Sequence, residues 1–216
     1  MCPPLMLTHP PELGWVGVDK KGAFIVIEGL DGSGKTTQAK LLVAKLRRQY
    51  NAMYTAEPSK GKIGKFIRSH VLYGDRRFPT AVEALLFAAD RLEHIQNEVL
   101  PAIAEGQVVI SDRYFYSSLA YQGSAGLSLD WIKTINQNAL KPDLAIFIDV
   151  EPEAVEARLK RRKSVMENME TQRKVRQIYQ YFIEKGELIK VDGNQPKALV
   201  AAEILDHVLL FLQSRV

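Results

Sequence analysis

The stretch AFIVIEGLDGSGKTT, residues 23–37, joins a short apolar run to a glycine-rich turn. Residues 23–28 are typical of a buried parallel strand, and the segment after them fits the pattern G-x-x-x-x-G-K-[ST]. Beyond Lys35, apolar residues recur at helical spacing, at Ala39, Leu42 and Leu46. A strand, a glycine loop and a helix in this order form a cradle whose backbone N–H groups converge on a phosphate.

The side chains of this loop predict a nucleoside-triphosphate site. Lys35 is expected to reach the outer phosphates, and the Thr36 hydroxyl can ligate Mg²⁺. Glycines let the backbone close around a polyphosphate. A chance match is the alternative, and the strand before the motif and the helix after it make this rare. The predicted donor site comprises Gly29, Leu30, Asp31, Gly32, Ser33, Gly34, Lys35, Thr36 and Thr37.

Length and composition indicate one ordinary globular domain, or one domain with a small mobile subdomain, since the chain has 216 residues of which 46% are hydrophobic. A single cysteine, Cys2, excludes an intramolecular disulfide and any multi-cysteine metal site. The net charge of +4 comes partly from a basic cluster between Arg158 and Lys163. A polyanionic small molecule explains such a cluster as well as nucleic acid does, and the cluster lacks interleaved aromatic residues. We therefore expect no nucleic-acid partner.

Residues 1–22 contain four prolines and neither a basic leader nor an apolar segment of useful length. We expect a poorly ordered extension there, not a signal peptide or an anchor, with the folded domain spanning 23–216. No apolar run approaches the roughly 18 residues of a membrane span. The expected location is cytoplasmic, with no membrane partner.

Apolar runs alternate with segments of helical period along the chain, which predicts a three-layer α/β fold with a five-stranded parallel sheet and helices on both faces. The predicted strands are 23–28, 52–56, 107–112, 144–150 and 187–192. The predicted apolar stripes of the intervening helices are Ile63/Phe66/Ile67/Val71, Val82/Leu85/Leu86/Ala89 and Ile204/Val208/Leu212.

Asp112 and Arg113 follow the third predicted strand, where they should face the same crevice as Lys35. In a chain with a phosphate loop, Arg113 can bind a second phosphate bidentately, and Asp112 can orient Mg²⁺ or the acceptor. A surface ion pair between these two residues is the alternative.

Phe87 and Arg91 are spaced i, i+4 on a predicted helix, so they lie on one face. A ring beside a guanidinium suits a flat heterocycle, which Phe87 would stack on while Arg91 donates hydrogen bonds to its carbonyl edge. The alternative is a core phenylalanine and a solvated arginine.

The motifs GLDGSGKTTQ, LLFAADR and DRYFYSSLAYQ, in this order and spacing, resemble those of the thymidylate (dTMP) kinase family. The similarity runs from about Phe24 to Val191. It implies a P-loop nucleoside monophosphate kinase fold with a short basic lid at about residues 158–170. It also implies a homodimer that transfers the γ-phosphate of Mg·ATP to dTMP, giving dTDP and ADP.

The resemblance also implies roles for individual residues. Asp31 matches the carboxylate on the 3′-hydroxyl side of the acceptor sugar, and Tyr121 the ring that crowds its 2′ carbon. Arg68 is a candidate phosphate ligand behind a Glu57-Pro58 turn. The implied dTMP site comprises Asp31, Glu57, Arg68, Phe87, Arg91, Arg113, Ser117, Ser118, Tyr121 and Gln122, and the implied metal site Thr36 and Asp112.

This chain departs from the family pattern at several positions. Ala56 stands where an arginine often precedes the Glu-Pro turn, and Gly32 stands where some members carry a P-loop arginine. The catalytic cation should then come from the lid, with Arg158 against adenine and Arg162 on the transferring phosphoryl group. The implied catalytic set is Lys35, Asp31, Arg162 and Asp112. Residues 165–167 depart from the family's lid pattern, so a solvated basic helix face stays open for any single lid residue.

Two other functions are consistent with a P-loop. A deoxynucleoside kinase has a hydroxyl acceptor and needs a carboxylate base, for which Glu28 or Glu57 is available. A GTP-binding switch reads guanine through N-K-x-D, and the nearest string, residues 138–143, does not fit.

Overall fold

The computed structural model describes residues 22–74, 78–158 and 169–215. Its centre is a five-stranded, all-parallel sheet in the order β2-β3-β1-β4-β5. The strands are β1 Ala23–Gly29, β2 Ala52–Ala56, β3 Val108–Asp112, β4 Leu144–Asp149 and β5 Ile189–Asp192. All five predicted strands are confirmed, and their bounds differ from the predicted ones by at most two residues.

Helices cover both faces of the sheet, as the apolar runs predict. They are α1 Lys35–Leu46, α2 Lys62–Phe66, α3 Thr80–His94, α4 Leu100–Ala104, α5 Phe115–Ser124, α6 Leu129–Ile135, α7 Pro152–Arg158, α8 Met169–Glu184 and α9 Lys197–Gln213. Helix α2 continues as a π-helical turn over Ile67–Leu72, and α3 as another over Ile95–Val99. The core lies between these layers, and every residue of β1 is buried.

Helices α1 and α9 bury the faces that the sequence predicts, whereas the predicted stripe of α2 is only partly buried. Ala39, Leu42 and Leu46 of α1 are in the core, and so is the predicted stripe of α9. In α2 and its π-helical turn, Ile67 and Val71 are buried, whereas Phe66 is 38% exposed.

The predicted core stripe of α3 is wrong. Val82 is 39% and Leu85 49% exposed, and the residues that α3 buries are Glu83, Ala84, Ala88, Asp90, Arg91 and His94. The physical reason is that Asp90 and Arg91 bond to other elements, Asp90 to Ser59 and Arg91 to Glu57 and Asn136, and these contacts turn the polar side of α3 inward.

The carboxyl ends of β1, β2 and β3 meet at one edge of the sheet. The register pairs Ile27 of β1 and Ala56 of β2 with Asp112 of β3. The turns that follow these strands therefore face one crevice, as expected for an open parallel sheet. The predicted extension and nearly all of the predicted lid lie outside the described residues. No helix in the described ranges has the length and apolar character needed to cross a membrane.

Candidate active site

The loop between β1 and α1 has the geometry of a phosphate cradle. Gly32 and Gly34 have φ values of 82° and 91°, a region that favours glycine. No side chain among the described residues caps the first turn of α1, which leaves its first backbone N–H groups open to an anion. The buried Lys35 Nζ donates to the Leu30 carbonyl at 3.0 Å and lies 3.8 Å from Asp31 Oδ1. Burial, reinforced by Arg113, lowers the pKa of Lys35 to about 8.

Asp112 lies beside Thr36 and Tyr54 at the end of β3. Its Oδ2 accepts a short hydrogen bond from the Thr36 hydroxyl and another from the Tyr54 hydroxyl at 3.3 Å. Its Oδ1 is buried and has no partner among the described residues. Burial and then Asp112 raise the pKa of Tyr54 to about 12, so this hydroxyl keeps its proton and donates.

This donor set fits Mg²⁺ on a nucleotide. A hydroxyl at the start of α1 and one open carboxylate oxygen suit a cation that takes few protein ligands and fills its other positions with water and phosphate. No group of three or more His, Cys, Asp or Glu side chains in the described ranges forms a closed metal site.

Arg113 lies opposite the P-loop and pairs with Asp31, not with its neighbour Asp112, so the predicted alternative of a surface ion pair is excluded. Its Nη1 donates to Ser117 Oγ at 3.0 Å. The Tyr121 hydroxyl donates to Asp31 Oδ2 at 3.0 Å and lies 3.4 Å from Arg113 Nη2. Burial opposes ionisation of Asp31, but Arg113 and Lys35 outweigh it and hold the pKa of Asp31 below its usual range.

The backbone of Arg113 is in the left-handed region, with φ of 71°. A residue with a Cβ adopts this conformation rarely and at a cost of about 1–3 kcal/mol. Its N–H donates to the Ile27 carbonyl, which fixes the turn between β3 and α5. This backbone conformation allows the Arg113 side chain to line the crevice beside the P-loop.

Glu28 anchors the start of α5. Oε1 accepts from the backbone N–H groups of Tyr114 and Ser117, and Oε2 from the hydroxyls of Ser117 and Tyr179. Burial raises the pKa of the Glu28 carboxyl, although the hydrogen bonds from Ser117 and Tyr179 oppose this. All its acceptor positions are therefore engaged within the protein.

One cleft collects the predicted acceptor residues with the single exception of Arg68. Its lining comprises Asp31, Glu57, Pro58, Leu72, Tyr73, Phe87, Arg91, Arg113, Tyr114, Ser117, Ser118, Tyr121 and Gln122. The lining combines the Asp31–Arg113 pair with the Phe87 ring and the Arg91–Glu57 pair. The cleft therefore offers both charged groups and an aromatic ring.

Arg91 is buried, so the predicted alternative of a solvated arginine is excluded. Its Nη2 donates to Glu57 Oε2 at 2.7 Å and to Ser118 Oγ at 3.1 Å, and its Nη1 forms a short hydrogen bond with Asn136 Oδ1. The Tyr114 ring centroid is 5.1 Å from Cζ. Its Nε has no partner among the described residues, which leaves one buried donor beside the cleft.

Arg68 lies against the turn after β2. Its Nη1 donates to the carbonyls of Pro58 and Ser59, the latter at 3.1 Å. The Glu57–Pro58 peptide bond in this turn is cis. A phosphate contact for Arg68 stays a prediction.

The sequence prediction lacks the cleft residues Leu72, Tyr73 and Tyr114, and it also lacks three residues that hold predicted site residues in place. Tyr54 contacts Asp112, Asn136 contacts Arg91, and His94 bonds Thr55 at 2.6 Å and lies 3.3 Å from Glu57 Oε1. Each of these three residues bonds to a side chain that is distant in sequence, and a local sequence motif does not reveal such contacts.

A second cleft also includes residues of the P-loop. Residues of the P-loop, of α1, of the β5–α9 loop and of α9 line it: Ser33, Gly34, Thr37, Gln38, Gly193, Gln195, Lys197 and Val200. The side chain of Arg158 and all of Arg162 lie outside the described residues, so their predicted roles stay predictions.

Both clefts include P-loop residues, Asp31 in the first and Ser33 and Gly34 in the second. Two clefts that share a P-loop beside a five-stranded parallel sheet are typical of a P-loop nucleoside monophosphate kinase. Comparison with known proteins narrows the class. The thymidylate kinase family matches residues 27–204, and the chain belongs to this family.

Three curated relatives are similar in sequence to most of this chain. A probable thymidylate kinase of Pyrobaculum aerophilum is 45% identical over 194 residues, which are 88% of this chain and 99% of the relative. One of Pyrococcus horikoshii is 48% identical over 167 residues, 74% of this chain and 82% of the relative. One of Staphylothermus marinus is 39% identical over 184 residues, 82% of this chain and 89% of the relative.

Proposed function

We propose that the protein catalyses the ATP-dependent phosphorylation of dTMP to dTDP. The observation that carries this proposal is the cleft that brings Arg113, paired with Asp31 of the P-loop, together with Phe87 and the buried Arg91 of α3. In the proposal, Arg113 binds the acceptor phosphate beside the donor, and Phe87 lies against a flat base. The fold, the family and the named relatives support the same reaction.

In this proposal the chain acts mainly by positioning and charge. The P-loop and Lys35 hold the donor phosphates, and Arg113 holds the acceptor phosphate in line with them. Asp31 contacts the 3′-hydroxyl side of the sugar, and Tyr121 lies against the sugar ring. Phe87 stacks on thymine, while Arg91, Ser118 and Gln122 contact its edge.

Thr36 and Asp112 would hold Mg²⁺, which when bound offsets the charge on the donor phosphates. The acceptor oxygen belongs to a phosphate that is already anionic, so no strong general base is needed. Arg162 of the lid is proposed to contact the transferring phosphoryl group, and Arg158 to lie against adenine. Closure of such a lid would exclude water, which competes as an acceptor.

The contacts of Glu28 and Glu57 disfavour a hydroxyl acceptor. Glu28 is saturated by donors at the start of α5, and Glu57 is bonded to Arg91 and lies close to His94. Neither carboxylate is available as the base that a deoxynucleoside kinase needs.

An acceptor panel tests the proposal directly. ADP release from Mg·ATP is measured with dTMP, dUMP, UMP, dCMP and thymidine, and we expect the highest kcat/KM with dTMP. Faster turnover with thymidine than with dTMP would support the deoxynucleoside kinase instead. Slow GTP hydrolysis that no acceptor stimulates would support the GTP-binding switch.

A homodimer is part of the proposal. Helices α2 and α3, which contact each other, expose the apolar side chains of Phe66, Val82 and Leu85, and we propose that a second copy of the chain covers them. Leu85→Glu should convert a dimer to a monomer in sedimentation analysis, and an unchanged mass would exclude this face. ATP as the donor, together with a single cysteine, supports a cytoplasmic location.

A further inference from the structure

The two carboxylate oxygens of Asp112 differ in their surroundings. Oδ2 accepts hydrogen bonds from the hydroxyls of Thr36 and Tyr54, whereas Oδ1 is buried without a partner among the described residues. A buried acceptor without a partner costs about 1–3 kcal/mol, so a free Oδ1 indicates an oxygen kept for a ligand.

The fold brings Tyr54 to Asp112 by strand register. Tyr54 pairs with Ile110 and Ala56 with Asp112, so the side chains of Tyr54 and Asp112 point to the same face of the sheet. Helix α1 covers this face. Lys40 of α1 lies 5.4 Å from the Tyr54 ring centroid, and Thr36, one turn earlier on the same helix, meets Asp112.

We propose that Tyr54 is a positioning residue for the metal side of this site, resting on the proposed function for the identity of the nucleotide. By donating to Oδ2, the Tyr54 hydroxyl fixes the rotation of the Asp112 carboxylate and keeps Oδ1 directed at Mg²⁺ or at a water that Mg²⁺ holds. Thr36 donates its proton to the same Oδ2, and its own lone pairs are then open to the metal.

The arrangement explains why the position needs a tyrosine. A phenylalanine ring would keep the contact with Lys40 and the packing on β2, but it would leave the Thr36 hydroxyl as the single donor to Oδ2. The carboxylate could then rotate and share both oxygens with Thr36. The substitution would therefore lower the affinity for the metal and have little effect on the stability of the fold.

The test is Tyr54→Phe, with Tyr116→Phe as the matched control. The Tyr116 hydroxyl bonds Glu187 at 3.2 Å, and Tyr116 lines neither cleft. Binding of Mn²⁺ to the enzyme–ADP complex is followed by electron paramagnetic resonance, and binding of ADP without metal by calorimetry. Tyr54→Phe should weaken Mn²⁺ binding about tenfold and leave metal-free ADP binding unchanged, while the control changes neither.

Turnover gives a second readout. The Mg²⁺ concentration for half-maximal kcat should rise by a similar factor, and excess Mg²⁺ should restore most of kcat. Unchanged Mn²⁺ affinity, or a lower kcat that excess Mg²⁺ does not restore, would overturn the proposal. The Mn²⁺ measurement needs ADP and no acceptor, so it stands even if the acceptor panel rejects dTMP.

Discussion

Asp31 of the P-loop and Arg113 of the β3–α5 turn form an ion pair in the lining of the acceptor cleft, and the Tyr121 hydroxyl contacts both side chains. Arg113, which is proposed to bind the acceptor phosphate, is therefore already paired with a P-loop carboxylate in the absence of a nucleotide. Arg113 also contacts Ser117, so its guanidinium has a defined orientation before a nucleotide binds. Such charge-assisted contacts orient the guanidinium fork as well as stabilise it.

Asp31→Asn should lower kcat/KM for dTMP about 10- to 100-fold, with a smaller change in the KM for ATP. The substitution weakens the hold on Arg113 and also replaces the group proposed to contact the 3′-hydroxyl. Steady-state kinetics with each substrate varied in turn measures this split. A larger change in the KM for ATP would place Asp31 on the donor side instead.

A double-mutant cycle with 3′-deoxy-dTMP separates the two roles of Asp31. If Asp31 contacts the 3′-hydroxyl, the Asp31→Asn change and the loss of this hydroxyl should together lower log kcat/KM by less than the sum of their separate effects. If the two effects on log kcat/KM are additive, Asp31 does not contact the 3′-hydroxyl, and its proposed role is reduced to positioning Arg113.

Lys35→Met should lower kcat about a thousandfold or more, because a preorganised charge on the transferring phosphates is lost. The folded state should be as stable as the wild type or more so. Burial lowers the pKa of Lys35 to about 8, which means that the buried ammonium costs stability in the empty site. Thermal unfolding and turnover are measured on the same samples. A variant that is both inactive and clearly less stable would indicate a structural role.

The sheet could be predicted from the sequence because each strand is a short apolar run that ends at polar or glycine residues. A central strand such as β1 buries all its residues, and its run is therefore unbroken. The motifs also place Asp112 and Arg113 at the end of the third strand and Lys35 at the start of the first helix, as in the structure.

The inner face of α3 could not be predicted in this way. Periodicity detects the apolar stripe of Val82 and Leu85 but not the side on which it lies. Arg91 is buried because Glu57 and Asn136 supply its partners, and these come from other elements of the chain. A buried polar face depends on long-range pairs, which local spacing does not encode.

Glu28→Gln should change how the stability of the fold depends on pH. Burial raises the pKa of Glu28, so the folded chain binds more protons than the unfolded chain between an ordinary carboxyl pKa and this raised value. Stability then falls as pH rises through that window, by at most about tenfold in the folding equilibrium per pH unit. The glutamine side chain does not titrate, so the free energy of unfolding of the variant should not fall in this window. Relative to the wild type, the variant should therefore become more stable as pH rises. Urea unfolding across the window measures both slopes, and parallel slopes would contradict the raised pKa.

Asn136→Ala should raise the KM for dTMP about tenfold and leave the KM for ATP unchanged, because the buried Arg91 loses the partner of its Nη1. Asn136→Asp keeps an oxygen acceptor and should restore most of the affinity for dTMP. Gln137→Ala, at the neighbouring exposed position, is the control and should have the kinetics of the wild type. Asn136 also bonds the Ile132 carbonyl within α6, so a role in α6 alone would lower stability and shift both KM values together. The split between the two KM values, together with rescue by aspartate, therefore distinguishes the positioning of Arg91 from support of α6.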